Sequence, residues 1–108
     1  MTTELSVVEA HRLWQSGELA IIDVREQNEH DASRVRDVPL VPMSDLVANI
    51  DEVPTGLPLA VLCRSGVRSA KVADYLTAAG DHGDVANIVG GIIAWAAEGL
   101  PYEGEPPR

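Results

Sequence analysis

The sequence predicts a small α/β domain built on a parallel sheet with helices on both faces. Three observations carry that reading. Residues 19–24 (LAIIDV) and 59–62 (LAVL) are short apolar runs without polar alternation, the mark of strands buried on both faces. Segments with helical spacing or helix caps lie between such runs, as crossover helices do in parallel sheets. Glycine-bearing turns follow two of the strand candidates, at Gly66 and at Gly90-Gly91, where α/β proteins pass from strand to helix. The 108 residues are enough for one domain, 1–108, with a real core, and too few for two.

The elements follow in chain order. Residues 2–5 suit a short edge strand. Ser6 and Glu9 form the S-x-x-E pattern, whose side chains satisfy backbone donors at a helix start. Val7, Ala10, Leu13 and Trp14 recur at helical spacing and Gly17 offers a stop, which predicts a helix over 7–15. The strand over 19–24 comes next. Residues 25–38 are charged, lack an apolar period and read as a long loop. Pro39 and Pro42 bound a short strand candidate. Ser44 as cap, with Asp45 in the first turn, predicts a short helix over 45–50. Residues 51–58 are a turn region. The strand over 59–62 runs into a tight loop, 63–68, then a helix with its body at 69–79. A polar turn, 80–84, leads to a last strand, 85–89 (VANIV). Gly90-Gly91 opens a close strand-to-helix connection into a helix over 92–98 carrying Trp95. Gly99 and Pro101 end it, and the tail 102–108 reads as a loosely held surface segment.

Bulk properties narrow the function. A formal net charge of −9 argues against nucleic acid and against anionic membranes as partners. No apolar run is long enough for a transmembrane span, and the first residues lack the pattern of a secretory signal. A single cysteine forms no internal disulfide, which suits a reducing, cytoplasmic setting. His11, His30 and His82 have no metal-ligand spacing and suit surface positions, so no metal site is expected. Trp14 and Trp95 read as packing residues. Gly90-Gly91 lacks the pattern of a phosphate loop and reads as a close-packing device.

Chemistry concentrates at Cys63, where a strand stops and a loop begins. In the sequence CRSGVRS, Arg64 and Arg68, with Lys71 beyond, form the only compact basic cluster without an acid inside it. A thiolate is the reactive form of cysteine. A helix N-terminus, nearby arginines and a curled loop with inward N–H groups all favour it. Gly66 permits the curl, and Ser65 and Ser69 add hydroxyls. The bland alternative makes Cys63 a small hydrophobe finishing a core strand, which leaves the CRSGVRS cluster unexplained.

CRSGVRS resembles the active loop of rhodanese-like sulfurtransferases. IIDVRE at residues 21–26 resembles that family's strand-end acid and arginine. VPMSDL at 41–46 resembles its I-P-x-x-x-L segment, and NIVGGIIAWAAEGLP at 87–101 its closing G-G-x-x-x-W-x-x-x-G-[LY]-P signature. The likeness spans almost the whole chain. It implies a rhodanese-like α/β fold, a central five-stranded parallel sheet flanked by helices on both faces. It also implies that Cys63 takes a sulfane sulfur from a small anionic donor such as thiosulfate. Cys63 would hold it as a persulfide and pass it to cyanide, a low-molecular-weight thiol or a protein thiol, without a cofactor. By the same resemblance, backbone N–H groups of Arg64, Ser65, Gly66, Val67 and Arg68 stabilise the persulfide. Arg64 and Arg68 orient the donor, and Asp23 and Arg25 support the loop. Protein tyrosine phosphatases use C-x5-R; the C-x4-R spacing of Cys63 and Arg68, followed by Ser69, argues against phosphatase or arsenate reductase chemistry. A non-catalytic binding or regulatory domain is the rival reading, and the intact cysteine and arginines speak against it.

One stretch departs from the family. Where relatives commonly read G-H-I-P-G-A, this chain has SRVRDV at 33–38, with Arg34 in the histidine's place. Arg34 is expected either to pair with Asp23 and take over the histidine's packing role, or to be a solvated loop charge.

Overall fold

The apolar side chains fall into two cores, one on each face of a parallel sheet. The computed structural model describes residues 3–108. The sheet holds β1 (Glu4–Leu5), β2 (Ala20–Asp23), β4 (Leu59–Leu62) and β5 (Ala86–Ile88), in the order β1-β5-β4-β2 with every pairing parallel. Strand residues alternate between the faces. Ile21, Leu62 and Ile88 pack with Ala10 of α1 (Val7–Gln15) and with Ile92 and Trp95 of α4 (Gly91–Ala97). Ile22, Val61 and Cys63 face the other way, onto Val72, Ala73 and Leu76 of α3 (Val67–Ala79). This two-sided burial is why β2 and β4 carry no polar alternation. Each fully buried Ile or Leu contributes about 1.5–3 kcal/mol, so the paired faces fix the strand register.

The expected fifth strand is reduced to one residue. Leu40 makes an isolated parallel bridge to Asp23, through Asp23 N–H to the Pro39 carbonyl (2.9 Å) and Val41 N–H to the Asp23 carbonyl (2.8 Å). Pro39 and Pro42, which cannot donate, stand on either side and stop the ladder. Of the edge strand expected over 2–5, residue 2 lies outside the described residues, and Glu4–Leu5 is strand.

Three expectations away from the central sheet are corrected. Residues 25–38 are not one loop, since they contain α2 (Gln27–Ala32) and β3 (Ser33–Arg34). None of the α2 residues is buried, so no apolar period betrays the helix; its start is held by Glu29, whose side chain accepts from the Glu26 N–H at 3.1 Å. Ser44 does not cap a helix over 45–50. Its hydroxyl donates to Glu26 at 2.7 Å, and the segment forms two 3-10 turns, Met43–Asp45 and Ile50–Glu52. The tail 102–108 is not a loose end. It carries β6 (Glu103–Gly104), paired antiparallel with β3, and the Glu105 N–H donates to the Ala32 carbonyl at 2.8 Å.

Elsewhere the local signals hold. Ser6 accepts from the Glu9 N–H at 3.1 Å and α1 spans 7–15. His11, expected at the surface, is half-buried and packs edge-on against Trp95 with centroids 5.4 Å apart. No helix among the described residues is long and apolar enough to cross a membrane.

Candidate active site

Cys63 follows directly on β4, in the middle of the sheet, and is 1% exposed. Its chain then turns sharply into α3. Gly66 makes the turn at φ +101, a backbone region that side chains avoid, with its Cα side against the backbone of Gly90. The result brings the Gly66 N–H to 3.1 Å from the Cys63 sulfur. Ser69, fully buried on the first turn of α3, stands on the other side, with the thiol donating to its hydroxyl oxygen at 3.2 Å. The helix therefore begins at Val67, two residues ahead of the body read from the sequence.

Burial pushes the Cys63 thiol up. The Ser69 hydroxyl and the backbone N–H groups of Ser69, Gly66 and Ser65 pull it down and prevail, so the thiol lies below its ordinary value. Among the hydrogen bonds to the sulfur, the Gly66 N–H is the loop's backbone donor.

The second glycine turn secures the first. Gly91 packs so closely on the loop that an added Cβ would lie 2.4 Å from the Arg64 carbonyl oxygen and 2.5 Å from that of Cys63. The Ile92 N–H donates to the Cys63 carbonyl at 2.9 Å and the Ile93 N–H to that of Arg64 at 3.3 Å. Close packing was read for Gly90-Gly91; the surface they pack on is the cysteine loop.

The two loop arginines are both engaged. Arg68 grips Glu29 of α2 through two hydrogen bonds, at 2.6 and 2.7 Å. That bidentate grip outweighs partial burial and holds the Glu29 carboxyl down to about 2. Arg64 is exposed and donates through Nε to the Arg108 carbonyl. A cleft of about 300 Å³ opens beside it, walled by Arg25, Asn28, Glu29 and the tail from Glu105 to Arg108.

Asp23 and Arg25 form a buried ion pair, bidentate at 2.9–3.1 Å. Arg25 also donates to the carbonyls of Ser33 (2.7 Å) and Glu29 (3.3 Å). Their link to the cysteine loop is indirect: Arg25 donates to the Glu29 carbonyl, and the Glu29 carboxylate pairs with Arg68. Arg34 does not join them. It lies on β3, donates to the carbonyls of His30 and Asp31, and faces Glu103 of the tail at 3.6 Å. The expected Arg34–Asp23 pair is therefore wrong, because Arg25 fills both carboxylate oxygens.

Two residues that sequence reasoning missed complete the site. Glu29 carried no signal, since its partner is 39 positions away. Asn87 did carry one, as the lone polar residue inside VANIV. It is 3% exposed on β5, accepts from the Ser69 hydroxyl at 2.6 Å and donates to the Gly66 carbonyl at 3.3 Å. Among the described residues, no group of three His, Cys, Asp or Glu is arranged to hold a metal ion.

Known proteins resemble this chain in sequence and fold. The pattern of the family described as "Rhodanese-like domain" matches residues 6–98. A protein of Allochromatium vinosum named "Sulfurtransferase" is 35% identical over 92 residues, covering 85% of each chain. The thiosulfate sulfurtransferase GlpE of Coxiella burnetii is 27% identical over 97 residues, covering 90% of each. The crystal structure of a rhodanese-like domain protein from Staphylococcus aureus superposes with a TM-score of 0.80 at 30% identity, over 95% of this chain and 98% of that one.

Proposed function

The chain belongs to the rhodanese-like family, and from that premise we propose that it is a sulfurtransferase working through a Cys63 persulfide. The observation that carries the reading is the sulfur's setting. The sole cysteine sits at a strand end with a backbone N–H and a buried hydroxyl on it, flanked by two arginines. A core cysteine serving only as a hydrophobe has no use for those polar partners.

In the first half-reaction the Cys63 thiolate attacks the outer sulfur of thiosulfate or a similar anion. The sulfur–sulfur bond of the donor breaks, sulfite leaves with the bonding pair, and Cys63 keeps the transferred sulfur as a persulfide. Backbone N–H groups along 64–69 stabilise the charge on that outer sulfur. In the second half-reaction an acceptor thiolate or cyanide attacks the outer sulfur and the Cys63 thiolate leaves. Arg64 and Arg68 attract the donor, Arg68 turning from Glu29 to do so. Asp23, Arg25 and Glu29 keep the loop's flank in place. The cleft beside Arg64 admits the acceptor, a small thiol or the cysteine of a protein partner. A reducing, cytoplasmic setting keeps Cys63 free for this cycle.

Intact-mass spectrometry tests the proposal. Incubation with thiosulfate should add one sulfur at Cys63, and cyanide should remove it. No gain with thiosulfate or mercaptopyruvate, while a small thiol reagent still labels Cys63, would overturn sulfur transfer and favour a binding domain.

A further inference from the structure

The hydroxyl of Ser69 has one proton and two claimants. Cys63 lies 3.2 Å on one side of it and the Asn87 amide oxygen 2.6 Å on the other. The amide cannot simply turn over. Its nitrogen donates to the Gly66 carbonyl at 3.3 Å, and a flipped amide would set two acceptor oxygens against each other there. Asn87 is therefore locked with its acceptor toward Ser69. While Cys63 is a thiol, every group is satisfied: the thiol donates to Ser69 and Ser69 donates to Asn87. Once Cys63 ionises, the sulfur becomes an acceptor that wants the same hydroxyl proton. Turning the hydroxyl to the thiolate would leave the Asn87 oxygen buried without a donor, which is costly.

We propose that Asn87 is a positioning residue that competes with Cys63 for the Ser69 proton and so keeps the nucleophile less acidic than its loop alone would make it. The proposal deepens the sulfurtransferase reading and rests on Cys63 being the reacting sulfur. The consequence is chemical. A thiolate loses nucleophilicity as its parent thiol becomes more acidic, while a more acidic thiol leaves faster. Cys63 must do both, attacking the outer sulfur of the donor and later leaving that sulfur as the acceptor takes it. Asn87 tilts this balance toward attack.

No charged group offers an alternative account of the same effect. Arg68 of α3 is the charged group that feels the sulfur, with Glu29 of α2 and Asp23 of β2 acting in turn on Arg68; Arg25 pairs with Asp23, and Arg64 is the next residue along the loop. Neither β5 nor α4 contains a charged residue. An Asn87 substitution therefore changes hydrogen bonding without changing charge.

The experiment is a thiolate titration by absorbance near 240 nm, with iodoacetamide rates as a second readout. With one cysteine in the chain, both report Cys63 alone, and neither needs a donor or acceptor, so failed sulfur transfer does not confuse the result. Asn87→Leu should lower the midpoint and raise the thiolate fraction below it by about three- to ten-fold, the worth of one neutral hydrogen bond. Ser69→Ala should raise the midpoint, and adding Asn87→Leu to it should change nothing further. Gly66 keeps a partner in these variants, since its carbonyl also accepts from the Ala70 N–H. If Asn87→Leu does not fold, Asn87→Ala makes the same test. An unchanged or raised midpoint in the Asn87 variant, or an equal shift with and without Ser69, would overturn the proposal.

Discussion

The turn into α3 and the turn into α4 use the same backbone device for opposite ends. Both leave the carboxyl end of a central strand, and both start a helix from a left-handed glycine, Gly66 at φ +101 and Gly90 at φ +84. The first turns the Gly66 N–H onto the Cys63 sulfur. The second spends its N–H groups on the carbonyls of Cys63 and Arg64. A reactive loop has unsatisfied capacity by design, so something else must hold it still. Here the neighbouring turn does so from one side, and the Glu29–Arg68 pair from the other.

The largest effect comes from removing what only the first turn carries. Cys63→Ala should abolish sulfur transfer while costing about 1 kcal/mol of stability, because the side chain is a small member of the core facing α3. Turnover assays and thermal denaturation on the same sample check both halves. Next, Gly91→Ala should break the second turn and damage the first. Its positive φ costs a non-glycine residue about 1–2 kcal/mol, and the backbone overlap brings the total to roughly 3 kcal/mol. Sulfur loading should fall in parallel with the melting temperature; full loading would mean that the loop holds itself.

Charge sharpens the comparison further. Arg68→Ala should raise the thiosulfate KM by roughly ten-fold or more, the worth of a hydrogen bond to a charged group. Glu29→Gln should act in the opposite sense and more weakly, lowering that KM by about two- to five-fold as Arg68 is released from a partly exposed ion pair. Unaltered KM values in both would make the pair a structural strut only. The smallest effect is in acid. The Glu29 carboxyl is held down at about 2, so the pair's contribution is complete above the ordinary carboxylate value of 4.5 and is lost as pH falls toward 2. Stability measured from pH 6 to 2 should decline over that window in the parent and less in Glu29→Gln.

Legibility in the sequence follows the range of the interactions. The central sheet, α1, the cysteine loop and the closing glycines are local patterns of burial period, capping and turn chemistry, and they read well. The stretch from 25 to 58 read poorly. Helix α2 buries nothing and so leaves no period, and the two 3-10 turns are too short to show one. The tail gave no sign of β6, because two exposed residues become a strand only when β3 is beside them.

By itself, the sequence determined an α/β domain with a parallel sheet, helices on both faces and one cysteine at a strand-to-helix turn. These follow from contacts within a few residues and from which side chains prefer to leave water. The tertiary structure alone decided who partners whom. It gave Arg68 to Glu29, Arg25 rather than Arg34 to Asp23, Arg34 to the tail, and the Ser69 hydroxyl to Asn87. A charged or polar side chain states what it needs, but several candidates of the right kind lie along the chain. Only the packing of distant elements brings one of them within hydrogen-bond distance.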